Sequence, residues 1–282
     1  MTFEFFTCGG GQFWEDVFFY QKWRIQRNCH SKIYRLLDNW DIRRAEGSFE
    51  ECRKAFLEAI EIYEIPRQRG HMIVMLHGLG DTKNIFKPLW REALKQGYLA
   101  AAINYPSTQK RIDSHVRQLD FFLNHLEDVQ EVSFVTKGCG GIILRSLFNL
   151  NSEWKQKLKI GRIVQICPPN QGSGLIAMLG RNKVLRFIAG PMAEEMSADY
   201  ILNYIPNFPA SCDVGVIDSM APLTRACERL FAYRGQSGSD DLVRLDGVSD
   251  GIFIKNSRAN VLKNPQVIAE TLNFLKNGRF EK

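Results

Sequence analysis

Two glycine-rich turns hold the residue types that could do chemistry. The first is Phe134-Val135-Thr136-Lys137-Gly138-Cys139-Gly140-Gly141, followed by the apolar run Ile142-Ile143-Leu144. It reads as a strand end, a tight elbow and the start of a helix, a turn that can lift one side chain into a pocket while the first helical amides point at it. The group such an elbow presents in acyl transfer is a nucleophile. No serine stands there, and Cys139 offers a thiol instead. The second turn is His77-Gly78-Leu79-Gly80, directly after the apolar stretch Met72 to Leu76. Glycines at a strand end allow a sharp turn and leave main-chain amides free to bind a developing oxyanion.

The elements that must position these turns alternate along the chain. Apolar stretches at Met72 to Leu76, Leu99 to Ile103, Val132 to Val135 and Arg162 to Cys167 read as buried strands, and helices are predicted near Ile85 to Lys95 and Arg111 to Glu127. In the latter, Ile112, Val116, Leu119, Leu123 and Leu126 recur at steps of four and three. This alternation predicts an α/β fold: a mostly parallel sheet covered by helices on both faces. Upstream, residues 13–38 read as a strand pair, and Ser48-Phe49-Glu50-Glu51 as a capping box opening a helix that ends at Pro66. From 172 to 210 the rhythm breaks into apolar helical pieces (Leu175, Ile176, Met178, Leu179, Val184, Leu185, Phe187, Ile188), predicted to be a lid over the sheet edge. Strands return at Val214 to Ile217 and Ile252 to Ile254, and Asn264-Pro265 opens a last helix that ends near Gly278. The expectation is one domain over 1–282, with residues 1–70 as its N-terminal strand pair and helix and 172–210 as the lid.

Composition excludes several classes. The 282 residues are 45% hydrophobic and 24% charged, as in ordinary globular proteins. The net charge of +6 is spread among acids rather than gathered in blocks, which argues against a nucleic-acid footprint and allows a peripheral membrane contact at most. Seven cysteines without a C-x-x-C pair fit neither a disulfide framework nor a zinc site, so reduced buried thiols, no metal and a cytoplasmic location are expected. No leader or membrane span is expected either.

Beyond the two turns, Gln12-Phe13-Trp14, Trp23-Arg24-Ile25-Gln26, Asn104-Tyr105-Pro106, Pro168-Pro169-Asn170-Gln171-Gly172-Ser173 and the ending from Asn264-Pro265 to Phe280 complete a pattern. With them the chain resembles the lipase and esterase branch of the α/β-hydrolase superfamily, and more closely a group of bacterial lipase-like proteins. The resemblance implies the α/β-hydrolase fold, a Ser-Asp-His triad, a backbone oxyanion hole and ester or acyl-glyceride substrates. The elbow of that family runs small, any, nucleophile, any, small. With Gly138 at the nucleophile position the small sites are Thr136 and Gly140; with Cys139 there, the bulky Lys137 falls on a small site. The general base is missing too, because His30, His71, His77, His115 and His125 all precede the elbow. Matching back from Asn264-Pro265 places Arg258 where the family has histidine, and arginine stays protonated. Gly235 falls at the acid position, while a small gap would admit Asp240 or Asp241.

The resulting expectation is a pseudo-hydrolase with the vestigial positions Gly138, Gly235 and Arg258 and an oxyanion-type loop of His77, Gly78, Leu79 and Cys139. It would bind a small apolar or acyl ligand or a protein partner, without a cofactor. His77 is expected to hydrogen-bond within its own loop and Cys139 to be a buried filler. The alternative is an active ester or lipid acyl hydrolase, or an acyltransferase, with Cys139 as nucleophile, its thiol activated by Lys137 or the helix N-terminus and served by His77 or by a residue brought in by the lid. A third reading is a membrane-surface scaffold using the basic surface and the lid.

Overall fold

Two sheets organise the chain, one antiparallel and one parallel. A computed structural model describes residues 11–173, 176–177, 189–219, 247–256 and 260–281. Strands β1 (Trp14–Tyr20), β2 (Trp23–Asn28), β3 (Tyr34–Leu37) and β4 (Arg43–Gly47) form a four-stranded antiparallel meander. The stretch expected to hold a strand pair therefore holds three strands, and a fourth follows it. β2 escapes an apolar reading because its polar residues are paired: Asp16 on β1 accepts from Arg24 at 3.3 Å and from Gln26 at 2.7 Å, all three buried. Helix α1 (Phe49–Ile62) starts at Ser48 with both halves of the capping box formed. Its buried face, Cys52, Phe56 and Ala59, packs on Phe18, Ile25 and Leu36, with the Phe18 and Phe56 rings edge to face at 5.1 Å.

The second sheet is six-stranded and parallel throughout, in the order β6-β5-β7-β8-β9-β10. Its strands are β5 (Gly70–Leu76), β6 (Leu99–Ile103), β7 (Val129–Lys137), β8 (Lys159–Ile166), β9 (Val214–Asp218) and β10 (Asp250–Phe253). Along β5 the side chains alternate between two cores, Met72, Val74 and Leu76 to one and Ile73 and Met75 to the other. Apolar residues on both faces of a strand require cover on both faces. Helices α3 (Ile112–Asn124) and α4 (Gly140–Phe148) supply one layer, and α2 (Lys87–Lys95) and a C-terminal helix, α7 below, supply the other. A short helix, α5 (Trp154–Lys157), buries Trp154 beside Phe134 and Phe148.

Beyond β8, the described part of 172–210 holds a 3-10 turn (Pro191–Met196) and helix α6 (Ala198–Tyr204), and no strand. Met192, Met196, Ile201, Ile205 and Phe208 join the same core as Ile142 and Ile143. Of the apolar positions singled out for the lid, all but Ile176 lie outside the described residues. Helix α7 (Pro265–Asn277) begins with the Asn264 side chain accepting from the Gln266 amide at 2.8 Å and ends at Gly278, whose φ of +76° is left-handed. No helix among the described residues is long and apolar enough to cross a membrane.

Candidate functional site

The elbow joins β7 to α4 through Gly138, the apex, with φ +54°, and Cys139, whose backbone is already helical. The apex is fixed at both ends: the Gly138 amide donates to Ile166 O at 2.9 Å and its carbonyl accepts from the Gly141 amide at 3.0 Å. A side chain at each glycine would meet different surroundings. A Cβ on Gly140 would lie 2.6 Å from Leu76 O and 2.7 Å from His77 O, so α4 approaches the end of β5 too closely for any other residue. A Cβ on Gly141 would lie 2.5 Å from the Gln165 amide nitrogen. At Gly138 it would meet only Gly78 Cα, at 3.8 Å. The apex thus faces room that a side chain could fill, and glycine leaves it unfilled.

The neighbouring loop is built from His77 to Asp81. His77 is fully buried, its Nδ1 2.8 Å from Gly78 O and its Nε2 facing the Tyr105 amide at 3.4 Å. Its ring stacks on Tyr105 at 4.0 Å, and the Tyr105 hydroxyl donates to the His77 carbonyl. Burial pulls its pKa down to about 4, so the ring is neutral near pH 7, with Nδ1 as donor and Nε2 as acceptor. Both nitrogens are engaged by backbone groups, one within the loop and one after β6, and neither is turned toward a nucleophile.

Three side chains hold this loop through contacts that the sequence did not reveal. Lys137 reaches Asp81 with a 2.6 Å ion pair between half-buried groups, strapping the loop to the elbow. Ser107 accepts from the Gly80 amide at 3.0 Å. Gln12 donates to Asp81 O at 2.8 Å while its oxygen accepts from the Thr108 amide at 3.0 Å and the Thr108 hydroxyl at 2.9 Å. Such contacts span long stretches of chain and leave no local pattern to read.

Cys139 is buried in the apolar core, and burial pushes its thiol pKa up to about 11, against the opposing influence of the Leu79 amide and Lys137. A thiolate is therefore scarce at neutral pH. The structure brings Gly138, Cys139, His77, Gly78 and Leu79 together at one end of the parallel strands. Gly235, Arg258, Asp240 and Asp241 lie outside the described residues.

One hydroxyl–imidazole pair does occur elsewhere: His71 Nε2 lies 2.8 Å from Ser133 Oγ. It sits toward the opposite strand ends, next to Gly161, and Ser133 is fully buried. Glu131 approaches the same nitrogen, at 3.7 Å, rather than the far side of the ring, so no relay from acid through base to hydroxyl is formed. His115, also buried, leans on Tyr105 at 5.0 Å with its pKa pulled down to about 3, chiefly by burial. Among the described residues no group of histidines, cysteines and acids could hold a metal ion.

No family model matches the sequence, and no curated protein matches it. Solved structures do. Phospholipase PlaB from Legionella pneumophila in complex with thio-NAD is 21% identical over 61% of this chain and 42% of its own, with a TM-score of 0.44. The chain thus spans 42% of the length of that phospholipase. MGS-MChE2, an α/β-hydrolase enzyme from a sediment metagenome of the Mar Chica lagoon in Morocco, is 16% identical over 73% of this chain and 90% of its own, at 0.47. A monoacylglycerol lipase of Paleococcus ferrophilus is 14% identical over 71% and 90%, at 0.44. The parallel sheet order, the helices on both faces and the strand-to-helix elbow make this an α/β fold with a doubly wound parallel sheet, and the solved structures it is similar to include α/β hydrolases, lipases and esterases.

Proposed function

We propose that this chain is a catalytically silent α/β hydrolase that uses its elbow to frame a binding site for a small apolar or acyl ligand. The observation that carries the reading is Gly138: the apex of the elbow has space before it and no side chain to act there. Three further features support it. Every histidine of the sequence precedes the elbow, His77 has both nitrogens engaged, and the Cys139 thiol is buried with a pKa near 11. Apolar side chains from α4 and from 190–208, among them Ile142, Ile143, Met192 and Met196, pack in one core with Cys139, so the ground behind the elbow is apolar. The segment from 172 to 210 would act as the lid of that site.

The test is hydrolysis of short-chain p-nitrophenyl esters by the purified full chain. Without a nucleophile and base, the rate is expected about four to six orders of magnitude below that of an intact triad enzyme. A lipase-like rate would overturn the proposal, and if Cys139→Ala abolished that rate the thiol would be the nucleophile. Displacement of a fluorescent fatty acid by unlabelled acyl chains tests the binding half. A chain that releases no probe under competition does not bind acyl ligands there.

A further inference from the structure

Away from the elbow, three turns meet at one end of the antiparallel meander. The β1–β2 turn carries Gln21 and Lys22, both with positive φ (47° and 75°), as tight hairpin connections require. In the β3–β4 turn the buried Asp38 carboxylate accepts from the amides of Trp40 and Ile42, both at 2.9 Å, and pairs with Arg44 at 2.7 Å. The third wall is the chain leaving α1, from Tyr63 to Pro66. Together they enclose a cleft of about 300 Å³.

The cleft holds an unusual set of groups. Trp23 is buried against Tyr63, ring centroids 5.5 Å apart, while Trp40 and Tyr63 stand 73% and 52% exposed. The turn that presents Trp40 is pinned by Asp38, so the indole is held in solvent by a rigid support rather than left on a loose loop. The charged groups do not cancel. Asp38 and Arg44 neutralise each other, and Lys22, which has no acidic partner among the described residues and whose ammonium rests 5.3 Å from the Trp90 ring centroid, leaves one positive charge at the rim. The side-chain amides of Gln21 and Asn39, which also line the cleft, make no hydrogen bond within the described protein.

The exposed Trp40 indole, two uncommitted carboxamides and one cation without an acidic partner match a definite chemistry, while the Tyr63 ring already carries Arg44 at 5.6 Å. The apolar C–H face of a sugar ring lies flat on an indole or phenol, planar amides bridge neighbouring hydroxyls, and an ammonium pairs with a carboxylate. We propose that this cleft is a binding site for an acidic carbohydrate, a saccharide carrying a carboxylate. None of its lining residues belongs to the elbow or to the loop of His77 to Asp81, so the site stands or falls independently of the silent-hydrolase reading.

The test is titration of the full chain, followed by tryptophan fluorescence and calorimetry, with cellobiouronic acid and with cellobiose, which share ring faces and hydroxyls and differ in the carboxylate. The acid is expected to bind, and to bind more tightly than the neutral sugar. Trp40→Ala should weaken both by about tenfold, with Trp40→Phe in between. Lys22→Met should abolish the preference for the acid while leaving cellobiose binding in place. Unchanged melting temperatures of these exposed-site variants keep the comparison free of misfolding. The proposal is overturned if neither sugar binds at millimolar concentration, if Lys22→Met leaves the preference intact, or if AMP binds this cleft more tightly than the acidic sugar.

Discussion

The glycines of the elbow are there for separate reasons, and substitution separates them. At Gly140 an added methyl group runs into two backbone carbonyls that cannot move aside, so Gly140→Ala is expected to cost about 3 kcal/mol, read as a lower urea midpoint. At Gly138 the obstacle is only the left-handed backbone, so Gly138→Ser should fold with a loss of about 1 kcal/mol. That variant should still hydrolyse no ester at a lipase-like rate, because no histidine stands by to activate the new hydroxyl. The buried imidazoles bring a pH dependence whose sign is fixed. With folded pKa values of about 4 for His77 and about 3 for His115, against 6.5 unfolded, the unfolded chain binds more protons throughout the interval between. Stability is therefore full above pH 6.5 and declines as the pH falls toward 3, by roughly 3 kcal/mol or more for each ring once below its folded value. A urea midpoint that drops between pH 7 and pH 5, and drops less in His115→Leu, is the expected result.

Among the elements, those whose signal is local could be read and those stabilised at long range could not. The runs of β5 and β7, the Ser48 capping box and the Asn264-Pro265 start of α7 announce themselves within a few residues. β2 and β4 do not, since their polar side chains count as paired only once partners outside the strand are known: Arg24 of β2 with Asp16, Arg44 of β4 with Asp38. The strap on the elbow loop was hidden for the same reason, because Lys137 and Asp81 are far apart in the chain. Contacts between elements also give testable energetics. Glu195, buried beside α6, accepts from the Ile112 amide at the start of α3 at 2.8 Å and from Arg111 at 3.1 Å. Glu195→Ala removes that cap and should cost about 1 to 2 kcal/mol, with faster amide hydrogen exchange in the first turn of α3 and across 190–204.

In the whole molecule, the two sheets are joined by buried polar groups rather than by a continuous ladder. Asp16 accepts from the Asn104 amide at 2.7 Å, the Asp16 amide donates to the Asn104 carbonyl at 2.9 Å, and Gln118 bonds both carbonyls. Asp16→Ala would leave Gln26 and the Asn104 amide buried without their acceptor and deprive Arg24 of its buried partner. It is expected to cost about 3 to 5 kcal/mol and to broaden or split the thermal transition relative to that of the unsubstituted chain. Gln12 extends the same joint: one carboxamide, contributed from ahead of the first strand, touches the loop after β5 and the loop after β6 at once. A fragment begun at Gly70 would carry every strand of the parallel sheet and still lack the side chain that sets those two loops against each other. The natural unit for crystallisation, ligand screening or transplantation of this site therefore starts upstream of the sheet on which the site is displayed.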